Sequence, residues 1–234
     1  PSKPSKEQII NQAFKFHSQG NIPEATRYYQ YFINRGFNDH RVFFNYGVIL
    51  INLGKIKEAE ISIRQALELK PDYPEGHLNL GNILRDLGKL EEAEISIRKA
   101  LKLKPDNAIA YLNLGNILRD LGKIEEAVIF TRKALKLNPN YTEAHVNLGN
   151  ILKDLGNLKE AELSTRKAIE LKPDLAGAHS NLGLILLQKG EYEQCIKCCL
   201  ESAELLRGRK NQRATQMKSK KISKAKIDHD IEQF

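Results

Sequence analysis

Residues 79–89 read NLGNILRDLGK, and residues 113–123 read the same eleven letters. The copies lie 34 residues apart, and the interval holds well beyond them. Gly47, Gly81, Gly115, Gly149 and Gly183 form one ladder at this period, and Gly54, Gly88, Gly122, Gly156 and Gly190 a second. Pro71, Pro105, Pro139 and Pro173 form a third. Repetition at this interval specifies a solenoid, in which stacked units bury each other's apolar faces. Function is then sought along a shared surface and not in one pocket.

One unit, residues 74–107, reads as two helices. From Pro74 to Leu87 the apolar positions recur at helical spacing, with Gly81 inside the stripe. A glycine in a helix interior costs about 1 kcal/mol. Its recurrence at the same place implies a partner helix too close for a Cβ. Gly88 supplies the left-handed residue that ends the first helix. The second helix is expected over about 90–103, with Ala93, Ile97, Ala100, Leu101 and Leu103 inward. Acids crowd its first turns and bases its last, which complements the helix dipole. Glu60–Arg64, Glu94–Arg98 and Glu162–Arg166 add pairs four residues apart. Most of the charge thus reads as solvated helix faces. Pro105 stops the helix.

The pattern of a large residue, Leu-Gly, Gly, Ala, Ala and Pro resembles the tetratricopeptide repeat, a helix–turn–helix unit of about 34 residues. The resemblance implies an all-α, right-handed α-solenoid of tandem units. Five units are expected at 40–73, 74–107, 108–141, 142–175 and 176–206. A degenerate unit precedes them within 1–39, where Ala13, Gly20 and Ala25 keep the register and Phe37 replaces the proline. The family's common tryptophan is His77, Tyr111, His145 or His179 here. A histidine that follows the period reads as a core residue, not a catalytic one.

In this family the first helix of each unit lines the concave face. Here it carries Asn45, Asn79, Asn113, Asn147 and Asn181, with Asn82, Asn116 and Asn150 three residues later in the central units. Arg85, Arg119 and Lys153 follow, beside Asp86, Asp120 and Asp154. These offsets put the groups on one helical face. Asparagine is a poor helix former, so its recurrence needs a reason. A side-chain amide both donates and accepts, as a peptide backbone does. The row resembles the asparagine ladder in the superhelical arm of O-GlcNAc transferases, which implies that these residues bind peptide. Two other readings stand beside it: amides that bridge adjacent repeats, and a neutral residue copied by duplication. The carboxylate clamp known in other tetratricopeptide proteins departs from this pattern, because its lysine position holds Phe44, Leu78, Leu112, Val146 or Ser180. Phe44, Leu78, Leu112 and Val146 are expected to give the groove an apolar edge.

Charge is uneven. Residues 207–234 hold nine Lys and Arg against three Asp and Glu, which leaves 28 and 26 of the totals 37 and 29 for residues 1–206. The nearly neutral body argues against a nucleic-acid groove along its length, and only the basic tail leaves nucleic acid open as a partner. The basic tail is expected to give a capping helix over about 209–226 and then a linker, with a basic tether for nucleic acid or acidic lipid as the rival reading. No apolar run reaches the length of a membrane span. The three cysteines, Cys195, Cys198 and Cys199, cluster on one helix. They make a poor disulfide framework and point to the reducing cytoplasm. A structural zinc site needs four ligands, so no metal is expected. Cys195 and Cys199 read as core residues instead. No phosphate loop, Gly-x-Ser-x-Gly or His-Glu-x-x-His motif is present. Neither catalytic residues nor a cofactor is expected. The chain opens on Pro1 and stops at Phe234, and both ends are read as cuts in a longer protein.

Two functions follow. The first is a monomeric interaction scaffold that binds an extended peptide or protein segment. The second is a substrate-recruitment arm of a glycosyltransferase, sulfotransferase or oxygenase whose catalytic domain lies beyond Phe234.

Overall fold

The computed structural model describes residues 4–208 and 210, all of whose regular structure is helical. The chain forms two compact units, Pro1–Asn138 and Pro139–Phe234. The first contains eight helices: α1 Lys6–Ser18, α2 Ile22–Asn34, α3 His40–Asn52, α4 Ile56–Leu69, α5 Pro74–Asp86, α6 Leu90–Leu103, α7 Ala108–Asp120 and α8 Ile124–Leu137. Consecutive helices pair as hairpins, and α2 packs on α3, α4 on α5 and α6 on α7. The second unit contains α9 Thr142–Asp154, α10 Leu158–Leu171 and α11 Ala176–Gln188, followed by α12 over 192–208. The tail helix expected over 209–226 lies outside the described residues, save for Lys210.

Helix α6 begins and ends where the sequence placed it. The turn before it is fixed by Gly88, at φ +75°. There the Gly88 N–H donates to the Arg85 carbonyl at 2.9 Å and the Lys89 N–H to the Leu84 carbonyl at 2.8 Å. This closes α5 with the two bonds of a left-handed glycine cap. Pro74 opens α5 at its first turn, where a missing N–H costs nothing.

The hairpins close tightly because the interior glycines leave no room for anything larger. A Cβ on Gly81 would lie 2.4 Å from Ile97 Cδ1, and one on Gly115 2.3 Å from Thr131 Oγ1. The opposing side chains are fully buried, as are Ala93, Ala127 and Ala134 beside them.

The large-residue slot is buried at His77 and His179 and half-buried at Tyr111 and His145, and its histidines form bonds that periodicity does not reveal. His77, His145 and His179 each place Nε2 within 2.8–2.9 Å of a carbonyl six residues earlier, on Pro71, Pro139 and Pro173. The ring nitrogen donates, so each imidazole ties the loop between hairpins to the helix it precedes. Burial pushes His77 below the usual histidine range. Tyr111, in the same slot, stacks on Phe130 instead.

The charged faces need correction. They are not simply solvated. Arg64 bonds Glu60 within α4 at 2.9 Å and also Glu92 of α6 at 2.7 Å, and Lys89 reaches back to Glu60 at 2.9 Å. Arg98, Glu94, Glu126 and Lys123 repeat the arrangement one hairpin later. The Glu60 and Glu94 side chains are only 12% and 13% exposed. Burial raises both carboxyls, but hydrogen bonds from the flanking Lys and Arg outweigh it and hold them below the usual range. These links join one hairpin to the next.

The cysteines also need correction. Cys198 is buried against Leu182 and Leu186 and Cys195 is half-buried, whereas Cys199 is exposed. Cys199 faces Gly183, as its slot requires. Among the described residues no further hairpin follows α12 to cover it.

The degenerate first unit folds as a hairpin with an aromatic core. Tyr29 and Phe32 are fully buried among Ile9, Ile10, Ala13, Ala25, Val42 and Ile49. The proline missing at Phe37 is replaced by another stop. Gly36 takes φ +72°, and Phe37 packs its ring 5.3 Å from that of Phe32. A hydrophobic contact of this kind commonly accompanies a glycine cap.

Burial pushes the Tyr29 hydroxyl up to about 12, against a smaller lowering by Asn45. An unfolded tyrosine titrates near pH 10. Between these values the unfolded chain loses a proton that the folded chain keeps. Stability that is complete below about pH 10 therefore falls as pH rises through about 12. Urea titrations across that range should show the wild type losing on the order of 2 kcal/mol more than Tyr29→Phe. Parallel curves for the two proteins would contradict it.

Candidate functional site

The polar rows sit on the first helix of each hairpin, and each unit carries its own set. In the first unit, Asn45 lies on α3, Asn79, Asn82, Arg85 and Asp86 on α5, and Asn113, Asn116, Arg119 and Asp120 on α7. The asparagines and arginines are half-buried and the two aspartates exposed. Leu80, Ile83 and Leu84 on the opposite side of α5 are buried, which fixes the helix's rotation and holds the polar face outward.

The structure joins neighbouring helices through these rows. Asn113 Nδ2 donates to Asn82 Oδ1 at 2.8 Å. Arg85 Nε donates to Asp120 Oδ2 at 2.7 Å. Asn45 hydrogen-bonds the Tyr29 hydroxyl of the preceding hairpin. The bridging reading of the amides is therefore realised at α5–α7. The contacts run between residues 31 and 35 apart, not 34. Equivalent residues stack, but each bonds a neighbour one turn or one residue out of register.

Asn79 and Asp86 make no side-chain hydrogen bond among the described residues. Asn116 and Arg119 take part in further contacts. In the second unit Asn147, Asn150, Lys153 and Asp154 lie on α9 and Asn181 on α11, with Lys153 Nζ 3.8 Å from its neighbour Asp154. On α11 the row changes character, since Leu184 and Leu187 stand 45% and 48% exposed where α9 has Asn150 and Lys153. Of the expected apolar edge, Leu112 is buried while Phe44, Leu78 and Val146 are half-buried.

Two properties follow. The Arg85–Asp120 pair cancels charge inside the rows, so the face is polar without a strong field. The bridging amides keep unused capacity as well. The bond between Asn113 and Asn82 consumes one N–H and one lone pair. Asn82 keeps both amide protons, and Asn113 keeps its carbonyl oxygen. Held at fixed positions by their helices, these groups offer a donor and an acceptor together.

A cleft also lies away from these rows. In the second unit a cleft of about 480 Å³ is lined by Pro173, Asp174, His179, Glu201, Glu204, Leu205 and Gly208. His179 is held there between the Pro173 carbonyl and Glu201 Oε2, 3.0 Å from Nδ1. The ring is a structural tie in this place. No group of three or more metal-ligating side chains suited to an ion occurs among the described residues. No described helix is long and apolar enough to cross a membrane.

Family models described as tetratricopeptide repeat or TPR repeat match residues 40–73, 78–142, 130–162, 149–190 and 176–205. No curated protein sequence matches the chain. Among solved structures, that of MamA superposes with a TM-score of 0.64 at 25% identity, over 70% of this chain and 96% of that one. YrrB, described as a TPR protein with an unusual peptide-binding site, gives 0.61 at 24% identity, over 76% and 91%. PilF of Pseudomonas aeruginosa gives 0.65 at 22% identity, over 70% and 75%.

Proposed function

The chain belongs to the tetratricopeptide repeat family, and from that premise we propose that it is a protein-interaction scaffold that holds an extended peptide or protein segment along its amide-bearing helices. The observation that carries this reading is the Asn82–Asn113 pair. Its bond fixes both amides yet leaves a donor on one and an acceptor on the other. An extended main chain presents the complementary groups at every residue. Recognition through the main chain tolerates varied side chains, and the internally paired Arg85 and Asp120 keep the face from selecting one charge. The chain works by binding rather than by chemistry. Its three free thiols fit a reducing compartment such as the cytoplasm. YrrB's description as a peptide-binding TPR protein supports the same reading.

The test uses the whole chain. Extended peptides are selected from a random display library on the wild type, and the best binder is labelled for fluorescence anisotropy. Replacing Asn79, Asn82 and Asn113 together with alanine should weaken it by about 10- to 100-fold, the worth of two or so hydrogen bonds. Helix content should stay unchanged, because all three side chains face away from the core. Affinity within about twofold of wild type would remove the amide rows from the binding mechanism.

A further inference from the structure

The second helix of successive hairpins carries an aliphatic side chain that packing does not use. Ile61 on α4, Ile95 on α6 and Ile129 on α8 occupy the same position 34 residues apart and are 61%, 69% and 53% exposed. A single exposed isoleucine is ordinary. Three in register are a ladder. A β-branched residue in mid-helix is also a little unfavourable for the helix itself.

On α6 and α8 the charges around this ladder are sorted. Glu91 stands one turn before Ile95, Lys99 one turn after it, and Lys102 a turn further. Glu125, Ile129, Lys133 and Lys136 repeat the order. All six charged residues are exposed, and each lies within about 40° of its isoleucine around the helix. The two helices are linked by an ion pair between Arg98 of α6 and Glu126 of α8 at 3.0 Å. The helix dipole accounts for acids first and bases last, but not for the isoleucine between them. On α4 the order is lost: Lys57 and Glu58 precede Ile61, and Gln65 and Glu68 follow it. The sorted patch belongs to α6 and α8 alone among these three helices.

We propose that this acid–isoleucine–base patch is a self-association surface and that its occupant is a second copy of the chain. A two-fold axis lying in the contact plane, perpendicular to the helices, lays α6 antiparallel on α6 of the other copy and α8 on α8. Each acidic row then faces a basic row, Ile95 meets the other Ile95, and Ile129 the other Ile129. Parallel alignment would set like charges opposite each other. A two-fold contact requires one patch to complement itself, and this one does so in the sign of its rows. Two fourteen-residue helices about 21 Å long, each presenting a face about 10 Å wide, give a footprint of about 400 Å² per copy. That lies below the size of a standard stable interface. The dimer is therefore weak, with a dissociation constant of tens to hundreds of micromolar, and salt-sensitive. The monomer expected from the sequence is its dilute limit.

Sedimentation of the whole chain from about 10 to about 500 µM, in low and in high salt, spans the weak range this footprint implies. A reversible, salt-weakened dimer is expected. Ile95→Lys with Ile129→Lys should weaken it at least tenfold with unchanged helix content. Glu91→Lys with Glu125→Lys should be monomeric alone, as should Lys99→Glu with Lys133→Glu. An equimolar mixture of the two should dimerise again, because each variant's altered row then meets its opposite. A monomer at every concentration, a dimer indifferent to the isoleucine change, or a mixture that fails to recover would each overturn the proposal. Peptide binding by the amide rows should be the same in all these variants, so the two readings stand or fall separately.

Discussion

Gly81→Val should destabilise the first unit by more than about 3 kcal/mol, read from its urea transition. The valine Cβ alone would lie 2.4 and 2.5 Å from Ile97 Cδ1 and Cγ1 and 3.3 Å from the Ala93 carbonyl oxygen. Ile97 is fully buried and has nowhere to turn, and the carbonyl belongs to helix α6 itself. The hairpin must open, and opening it separates every contact between α5 and α6. A double-mutant cycle isolates the cause. Ile97→Ala alone should cost about 2–5 kcal/mol through the cavity it leaves. Combined with Gly81→Ala it should cost clearly less than the sum, because the new methyl fills space that Ile97 vacated. A coupling of at least about 1 kcal/mol is expected. A valine variant within about 0.5 kcal/mol of wild type would mean that the helices part freely.

The second large effect is local. Phe32→Ala removes a fully buried ring from the core of the first hairpin, where it also packs on Phe37. The expected loss is about 3–5 kcal/mol. In a repeat array stability is a sum of units and nearest-neighbour interfaces. A terminal hairpin can therefore unravel without taking the rest. Amide exchange in α1 and α2 should accelerate by more than about a hundredfold, while α6 and α7 keep their protection. Equal acceleration throughout would show that the first hairpin is an integral part of one cooperative block.

Much of this architecture was legible at the level of residues. Gly81 and Gly88 announced, respectively, a close approach and a left-handed stop, because no other residue tolerates those positions cheaply. His77 was legible as a core residue because it follows the period. Its bond to the Pro71 carbonyl was not, since periodicity reports facing and not reach. The same limit applies to the amide rows. The sequence placed Asn82 and Asn113 on one face. It did not show that they bond each other, because that contact combines the 34-residue period with a helical turn. Cys199 was misread for the opposite reason. A slot that is interior in every inner hairpin is exposed where no described hairpin follows. Glu60 looked solvated because its burial depends on Arg64 and on Lys89 of the next hairpin.

Those carboxylate links bear on how such a chain changes length. Glu60 receives Lys89, and Arg64 receives Glu92; one hairpin on, Glu94 receives Lys123 and Arg98 receives Glu126. Donor and acceptor stand at the same places on both sides of each junction. A whole 34-residue tile inserted between two such hairpins finds its partners above and below already in place. A gain or loss of a few residues within these helices would turn the carboxylates away from their partners. At these two junctions the chain can lengthen or shorten by whole tiles and preserve the links, which makes the reach of the binding surface a quantity that changes in whole steps.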